Sequence, residues 1–397
     1  MAAINIRDGV WWVGARDPGL RVFDIVMETK AGTTYNSYLV KGEKIALIDA
    51  VKDYSFDEFI GNISELADPA AIDYIVANHT EPDHSGSLAR LLELAPNAQV
   101  LCSQAAARFL REIVNRDFNV RVIGDGESID LGGKTLRFIS APFLHWPDSI
   151  FTYLSEERIL FTCDVFGCHY CDVKLFNDEA ERDFSPEFRY YFDVIMGPFK
   201  RHVRDALAKI RDLPIDIICP SHGPVLRTNV VEYVSRYAEW AREETHAPGR
   251  RAVVAYVSAY GNTGRLAAAI AEGLKERGVE PLLFDLVKSD TRAVVAAIDA
   301  ADGVLIGSPT LNRDAVKPVW LLLADVSAIV NRGKPAAAFG TYGWSGEAVK
   351  LIEERLAGLQ LKVVQPGLRV NFVPSEAQLA EAREFGRKFA AALPESE

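Results

Sequence analysis

The chain has 397 residues, of which 49% are hydrophobic and 25% charged, and its formal net charge is −11. This length predicts at least two well-filled cores. The acidic balance argues against nucleic acid or an anionic membrane as a partner, because phosphate groups bind to basic surfaces. No uncharged run approaches the roughly 18 to 20 residues that span a bilayer, and the amino terminus lacks the basic and apolar segments of a leader. Five cysteines do not make a disulfide framework. We therefore expect a soluble cytoplasmic protein that acts on small molecules or with redox proteins.

The first part of the chain alternates strands and helices after several strand-like runs between residues 10 and 50. A long helical region is predicted at about 186–212, and a shorter helix at about 105–115. Apolar runs predict buried strands at about 72–78, 98–102, 120–123, 136–140, 159–163 and 215–219. This organisation predicts two packed sheets flanked by helices.

Four potential metal ligands occur within six residues, in the run His79-Thr-Glu81-Pro-Asp83-His84 directly after the predicted strand at 72–78. Imidazoles and carboxylates lose their hydration at the end of a buried strand unless positive charge compensates them. A lone histidine would more often make an ordinary hydrogen bond. The density of the run favours a divalent cation.

Three further candidate ligands, His145, Asp164 and His222, each follow a short apolar run. Loops beyond the carboxyl ends of strands collect the sites of layered α/β proteins, so we expect all seven side chains to converge. Seven are too many for one tetrahedral zinc, but they suit two metals that share a bridging carboxylate. A set of histidines and carboxylates fits iron, manganese or zinc, and does not choose among them.

The segment His246-Ala-Pro-Gly-Arg-Arg251 is rich in chain breakers and follows a helical pattern that ends near Glu243. We therefore predict one domain at residues 1–247 and another at 251–397. Five predicted strands alternate with helices in the second, at 252–257, 280–285, 303–307, 335–339 and about 361–371. This pattern predicts an α/β fold with a five-stranded, parallel, doubly wound sheet.

Three loops after strands of this second sheet form another candidate site. The run from Ser258 to Thr263 opens a helix, and its hydroxyls and free amides predict a cradle for a phosphate. The loops at 307–312 and 340–346 carry residues that could cover a flat ring and bond to its edge. Each loop alone would more often be a plain turn. Together they favour a flavin site.

On these motifs the chain resembles the flavodiiron proteins over essentially its whole length. The resemblance implies an N-terminal metallo-β-lactamase-like αββα domain followed by a flavodoxin-like domain. Hydrolase relatives of the first domain usually carry a second histidine where Glu81 stands here, so the resemblance implies redox chemistry. The implied activity is the reduction of dioxygen to water and/or of nitric oxide to nitrous oxide, at a non-heme diiron site that FMN supplies with electrons.

The resemblance also implies a role for each motif residue. His79, Glu81 and His145 would bind one iron, Asp83, His84 and His222 the other, and Asp164 would bridge the two. In some members the side chain equivalent to His84 turns away from the metal. The implied FMN contacts are Ser258, Tyr260, Gly261, Asn262 and Thr263 at the phosphate, and Pro309, Thr310, Leu311, Asn312, Thr341, Tyr342, Gly343 and Trp344 around the ring system.

The chain has no cysteine after Cys219, so no fused rubredoxin module is expected. The resemblance then implies a separate electron donor, such as a rubredoxin or a flavin reductase, and a head-to-tail homodimer or dimer of dimers. Cys168 and Cys171 are interpreted as packing residues, and the neighbours of His169 do not decide its role. Two alternatives stay open: a metallo-β-lactamase-type hydrolase fused to a flavodoxin, and a gas or redox sensor that does not turn over. The preference between oxygen and nitric oxide also stays open.

Overall fold

A computed structural model describes residues 2–25, 27–242 and 250–394. The chain divides into two units, Met1–Glu243 and Glu244–Glu397. Residues 246–249 of the predicted boundary segment 246–251 lie outside the described residues. Within the described ranges no helix is both long and apolar enough to cross a lipid bilayer.

The first unit is built on two β-sheets that share one apolar core. In chain order its strands are β1 (Ile4–Arg7), β2 (Val10–Trp12), β3 (Ala15–Asp17), β4 (Val22–Phe23), β5 (Met27–Glu28), β6 (Thr33–Tyr35), β7 (Tyr38–Lys41), β8 (Ile45–Ile48), β9 (Tyr74–Ala77), β10 (Gln99–Cys102), β11 (Val120–Val122), β12 (Ser128–Asp130), β13 (Thr135–Ser140), β14 (Ile150–Leu154), β15 (Ile159–Cys163) and β16 (Ile217–Pro220). One sheet has the order β1-β2-β7-β8-β9-β10-β11 and the other β12-β13-β14-β15-β16, while β3-β6 and β4-β5 form small separate ladders.

Side chains from both sheets interdigitate between them, as the period-2 alternation of a strand requires. Trp12 and Tyr38 of one sheet share this core with Phe138 and Phe161 of the other, and the rings of Tyr38 and Phe161 are 5.2 Å apart. A second apolar cluster joins the outer faces to the helices. The helices are α1 (Phe56–Ser64), α2 (Pro82–Ser85), α3 (Leu88–Leu94), α4 (Gln104–Val114), α5 (Ser185–Tyr191), α6 (Lys200–Ile210) and α7 (Val230–Trp240). The predicted pair of packed sheets flanked by helices is confirmed.

The helical region predicted at 186–212 is not one helix. A π-helical turn at Phe192–Met196 and a 3-10 turn at Gly197–Phe199 separate α5 from α6. Pro198 accounts for part of the break, because proline has no N–H to donate and its ring clashes with the preceding helical turn. The interruption lies directly after Tyr191, which belongs to the candidate site described below.

The second unit is the doubly wound α/β fold that the sequence predicts. Its strands are β17 (Arg250–Tyr256), β18 (Val279–Asp285), β19 (Gly303–Pro309), β20 (Pro335–Tyr342), β21 (Lys362–Val363) and β22 (Leu368–Asn371). Its helices are α8 (Asn262–Lys275), α9 (Thr291–Ala300), α10 (Lys317–Asp325), α11 (Glu347–Gly358) and α12 (Glu376–Ala391). The parallel order is β18-β17-β19-β20-β21, and β22 also pairs with β20, so the predicted fifth strand is divided in two. In this strand order ligands bind at the switch point beside the first strand, where β17 meets β19.

Helices α8 and α12 approach so closely that glycine is required on both. A Cβ atom on Gly273 would lie 1.9 Å from the carbonyl oxygen of Arg383, and one on Gly386 would lie 2.2 Å from that of Ile270. We expect Gly273→Ala to lower the free energy of unfolding of this unit by about 1–3 kcal/mol, because the helices must separate to admit the methyl group. Denaturant unfolding followed by circular dichroism measures this. Gly358→Ala is the matched control, since a Cβ there meets nothing within 4 Å, and equal unfolding midpoints for the two variants would contradict the expectation.

Candidate functional site

The structure brings the seven predicted metal ligands of the first unit into one cluster. His79 follows β9, Asp83 and His84 lie in the short helix α2, and Asp164 and His222 follow β15 and β16. All seven side chains are buried except Glu81 and His145, which are half-buried. Their possible ligand atoms form two close groups, His79 with Glu81, His145 and Asp164, and Asp83 with His84 and His222. Apart from Asp164, which the resemblance assigns to both metals, these are the two groups that the resemblance assigns to separate metals.

Asp164 joins the two groups, because its two oxygens face different histidines. Its Oδ2 lies 3.6 Å from Nε2 of His79 and 3.6 Å from Nε2 of His145. Its Oδ1 lies 3.1 Å from Nε2 of His84 and 3.5 Å from Nε2 of His222. A carboxylate placed in this way can bind one cation with each oxygen. The geometry therefore fits a bridging role.

The buried carboxylates of the cluster favour positive charge beside them. Burial alone would raise the pKa of Asp164, but the histidines around it, His84 above all, hold that pKa well below its usual value. Burial also disfavours the charged form of His79 and alone would lower its pKa. Hydrogen bonds with Asp148 and Glu81 nevertheless raise that pKa well above the usual value. The carboxylates thus favour positive charge in their midst, which a metal cation supplies most directly.

Several ligand atoms are buried and have no hydrogen-bond partner among the described residues. They include Nε2 of His79, both carboxylate oxygens of Asp83, Nε2 of His84 and Oδ2 of Asp164. Buried polar atoms are normally paired, and a metal ion would satisfy these. Cys163 also lies within reach of His84 and Asp164, but burial raises the pKa of its thiol well above the usual value and makes a thiolate ligand unfavourable. The residues present fit two cations bound by histidines and carboxylates.

Two histidines of the cluster are oriented by groups that the sequence analysis missed. Oδ2 of Asp148 accepts hydrogen bonds from the amide and hydroxyl of Thr80, at 2.8 and 2.7 Å, and lies 3.1 Å from Nδ1 of His79. Nδ1 of His222 donates to the carbonyl oxygen of Thr34 over 2.6 Å. Such outer partners fix the tautomer in which Nε2 can bind a metal. Neither could be found from local sequence, because each contact spans 68 or more positions.

Among the described residues His84 has no such partner, since its Nδ1 is buried without a hydrogen bond. Its ring is held by packing and by the contact of its Nε2 with Asp164 inside the cluster, so less metal affinity should depend on His84. We expect His79→Ala to lower iron affinity roughly 10- to 100-fold more than His84→Ala, the usual contribution of an outer partner. Chelator competition on the two variants measures the difference. Equal losses would mean that His84 is held as firmly as His79.

Other side chains surround the cluster. The hydroxyl of Tyr191 donates to Oδ1 of Asp164 over 3.0 Å. Asp24, at the end of β4, has its pKa raised to about 6, first by burial and then by Glu81. The indole ring of Trp146 lies edge-on to His79, with centroids 5.2 Å apart, and so covers this histidine on one side. Cys168 is buried against Gly223, as expected of a packing residue, and all five cysteines are free.

In the second unit the structure places the predicted flavin residues on three neighbouring loops. These loops follow β17, β19 and β20, which are adjacent in the sheet. The Thr263 hydroxyl lies 2.8 Å from that of Thr341, and the amide of Thr310 donates to the carbonyl oxygen of Thr341 over 2.8 Å. These bonds link the candidate phosphate loop to the two candidate ring loops. Tyr260 and Trp344 are exposed by 89% and 82%, which leaves two large aromatic faces open to a planar ligand.

The loop from Ser258 to Thr263 fits a phosphate. The amides of Tyr260, Gly261, Asn262 and Thr263 have no acceptor among the described residues, and they lie at the amino terminus of α8. Gly261 has a φ of 83°, a conformation that favours glycine. Sequence reasoning missed Asn371, the last residue of β22, and Phe372, which follows it. The amide of Phe372 donates to the Tyr342 carbonyl oxygen over 2.7 Å, so this segment supports one ring loop from behind.

Comparisons with known families agree with the two units. Residues 33–223 match the family described as ODP family beta lactamase, and residues 254–386 match Flavodoxin. Each match covers the loops of one candidate site.

Full-length relatives cover both units at once. The chain is 45% identical to the type A flavoprotein fprA of Rhodobacter capsulatus, over 98% of this chain and 91% of that protein. It is 42% identical to the flavo-diiron protein FprA2 of Clostridium acetobutylicum, over 99% of this chain and 100% of that protein. It is 39% identical to a protein of Moorella thermoacetica named nitric oxide reductase, over 98% of both.

Solved structures resemble the chain in the same way. The flavodiiron protein of Giardia intestinalis has a TM-score of 0.66 at 32% identity, over 99% of this chain and 97% of that one. The rubredoxin oxygen:oxidoreductase of Desulfovibrio gigas has a TM-score of 0.68 at 29% identity, over 98% of both. Identity at this level along almost the whole chain, with both sites assembled, confirms the resemblance found in the sequence: the chain belongs to the flavodiiron proteins, also called type A flavoproteins.

Proposed function

We propose that this protein reduces dioxygen to water, nitric oxide to nitrous oxide, or both, at a diiron site in its first unit. It is an oxidoreductase whose cofactors are FMN, implied by the flavodoxin unit, and two iron ions, implied by the family. The observation that carries the proposal is the position of Asp164 between two groups of histidines and carboxylates. The names of the relatives support both substrates, since one is a nitric oxide reductase and another an oxygen oxidoreductase.

The proposed ligand set is the one that the sequence predicts. His79, Glu81 and His145 would hold one iron, Asp83, His84 and His222 the second, and Asp164 both. When bound, two ferrous ions supply one electron each and a reduced flavin two, which together match the four-electron reduction of dioxygen or two successive reductions of nitric oxide pairs. The thirteen predicted contacts of the second unit would hold FMN, with the free amides of the Ser258–Thr263 loop at its phosphate.

The chain's own residues prepare this site in three ways. Asp148 and the Thr34 carbonyl hold His79 and His222 with Nε2 toward the cluster. Tyr191 donates a hydrogen bond to Asp164 and so fixes the carboxylate that faces both groups. Trp146 covers His79 and restricts bulk water, which strengthens the electrostatic interactions inside. Because these side chains are held in place before the substrate binds, the entropic cost of bringing two reacting molecules together is lower.

We also propose a separate electron donor, a cytoplasmic location and a head-to-tail homodimer or dimer of dimers. The name of the Desulfovibrio gigas structure supports a rubredoxin as donor, and a flavin reductase would serve equally. The free cysteines fit a reducing compartment. In the proposed dimer the flavin of one subunit serves the metals of another.

Mixing experiments test the dimer. A variant that lacks metal activity, such as Asp164→Asn, and one that lacks flavin should be inactive alone and regain activity when co-assembled. A mixture that stays inactive, although copurification through a tag on one variant shows mixed dimers, would contradict the proposed arrangement.

The experiment that tests the activity starts from purified protein with measured iron and FMN contents. After anaerobic reduction, oxygen and nitric oxide consumption are followed by electrode under the same donor supply. Faster oxygen loss would identify a water-forming oxidase, and faster nitric oxide loss a nitric oxide reductase. A protein with two irons and one FMN that consumes neither would overturn the proposal in favour of a sensor. Zinc in place of iron, with hydrolysis of a lactam or thioester, would favour the hydrolase.

A further inference from the structure

Two tyrosines connect the metal cluster of the first unit with the protein surface. Tyr35 ends β6 and is fully buried, and the centroid of its ring lies 5.9 Å from that of the proposed ligand His222. Tyr54 is 60% exposed, and its ring centroid lies 5.9 Å from that of Tyr35. Two ring contacts therefore lead from a metal ligand to solvent. Neither tyrosine has a part in the function proposed above.

The hydroxyl groups of the two tyrosines form a hydrogen-bond chain with Asp17. The Tyr54 hydroxyl donates to Oδ2 of Asp17 over 2.6 Å, since an ionised carboxylate can only accept. A hydroxyl has a single proton, so the Tyr35 hydroxyl, 2.7 Å away, donates to that of Tyr54. Both protons thus lie on the side of Asp17. The carboxylate at the end of the chain fixes this order.

The hydrogen-bond chain makes Tyr35 suitable as a donor of one electron. A phenol loses an electron far more readily when its proton leaves at the same time, because the product is then a neutral radical. Lys52 strengthens this requirement, since its Nζ lies 5.9 Å from the centre of the Tyr35 ring and 5.7 Å from that of Tyr54. A positive charge on either ring would be repelled by this ammonium group. The chain to Asp17 provides the acceptor that the proton needs.

Tyr191 also contacts the cluster, but it lacks such an acceptor. Its hydroxyl donates to Oδ1 of Asp164, the proposed bridging ligand. Cations bound to that carboxylate would disfavour a proton on it. Tyr191 is also buried, so a radical there would not be open to a reductant in solution. Of the two tyrosines beside the cluster, Tyr35 is therefore the better electron donor.

We propose that Tyr35 and Tyr54 carry single electrons from the surface to the metal site when the cofactors cannot supply enough of them. The inference rests on the proposed diiron function, because dioxygen or peroxide that meets this site with too few electrons is an oxidant beside buried ligands. An electron from the tyrosine pair would be used before one from a ligand such as His222. The pair would thus protect the site from its own chemistry.

Each event removes one electron and one proton from the pair. Tyr35 gives an electron to the oxidant at the metals and its proton to the Tyr54 oxygen, while the original proton of Tyr54 passes to Asp17. Tyr54 then returns a hydrogen atom to Tyr35 and becomes the neutral radical. A thiol in solution restores exposed Tyr54 by giving it a hydrogen atom, and two thiyl radicals join as a disulfide. Asp17 releases its proton to solvent.

The test is electron paramagnetic resonance of the oxidised, iron-loaded protein, frozen after hydrogen peroxide is added. Peroxide takes two electrons and two protons to become two molecules of water, so it can draw two electrons in succession through the pair. We expect a tyrosyl radical signal whose shape changes when deuterated tyrosine is incorporated. Tyr35→Phe removes the inner phenol and Tyr54→Phe removes its proton acceptor, so both variants should lose the signal.

Tyr153→Phe is the matched control. Tyr153 is also buried, but its hydroxyl donates to the carbonyl oxygen of Pro214 over 2.7 Å, outside this hydrogen-bond chain. The control should keep the full signal. Peptide mapping by mass spectrometry gives a second readout, because oxidation of the ligand histidines should increase in Tyr35→Phe and stay unchanged in Tyr153→Phe.

Metal analysis and gas consumption, measured before peroxide is added, separate the possible failures. If the unaltered chain does not hold two irons, or consumes neither oxygen nor nitric oxide, the proposed function is wrong and this inference falls with it. If it is active and all variants hold two irons, an absent signal, or one equally strong in Tyr35→Phe and Tyr54→Phe, would overturn the electron path alone. A signal that deuterated tyrosine leaves unchanged would place the radical on another residue type, such as Trp146, with the same consequence.

Discussion

Replacing Asp164 by asparagine is expected to abolish turnover and to leave less than two irons per chain. The substitution keeps the size of the side chain and removes one negative charge from the point where the two ligand groups meet. An amide offers one oxygen where the carboxylate offers two, so it cannot face both groups with an acceptor. The loss of iron affinity should exceed the roughly 10- to 100-fold cost of losing an outer hydrogen-bond partner.

Metal analysis after dialysis, together with oxygen and nitric oxide consumption, measures this expectation. Asp125→Asn is the matched control, since that aspartate is half exposed and, within the described part of the chain, bonds to Lys209 and a backbone amide outside the cluster. The control should hold two irons and turn over normally. FMN content should be unchanged in both variants, because the flavin residues belong to the other unit. Two tightly bound irons in Asp164→Asn would exclude the bridging role.

Much of the ligand set could be predicted because residue types that commonly bind metals stand at recognisable places in the local sequence. The run from His79 to His84 is dense in ligand types, and His145, Asp164 and His222 each follow an apolar strand. The rule that sites collect beyond the carboxyl ends of strands then brings distant segments together. The doubly wound second unit could be predicted for the same reason, since alternating apolar strands and helices leave few other arrangements.

The groups that orient the ligands could not be predicted in this way. Asp148 lies three residues after His145, but nothing in this local sequence directs its carboxylate to His79, because that contact depends on how two loops meet. Thr34 acts through its backbone carbonyl, which every residue has, so its side chain carries no signal at all. The broken helix before α6 did carry a signal, the pair Gly197-Pro198, but the apolar periodicity around it suggested continuity.

Asp148→Asn is expected to reduce iron affinity by about 10- to 100-fold in the group formed by His79, Glu81 and His145. The Asp148 oxygen nearer to Thr80 accepts two strong bonds from that residue, so the amide oxygen of asparagine would take this place. Its NH2 group would then replace the other oxygen, which lies 3.3 Å from Nδ1 of His79. One of the two acceptors of His79 Nδ1–H would thus become a donor, and the other, at 3.1 Å, would become a neutral amide oxygen that already accepts two bonds from Thr80. The proton of His79 would then be held less firmly on Nδ1 and would move more readily to Nε2. That tautomer leaves no lone pair for a metal.

Chelator competition on Asp148→Asn, with iron counted per chain, measures the loss. Thr80→Val provides a graded comparison, because it removes one bond to Asp148 but keeps the carboxylate, and it should cost much less affinity. Circular dichroism should be unchanged in both, since the substitutions are close to isosteric. If Asp148→Asn bound both irons as tightly as the unaltered protein, the orientation of His79 would have to come from packing against Trp146 alone. The contrast with His84, whose ring has packing but no outer partner, would then lose its physical basis.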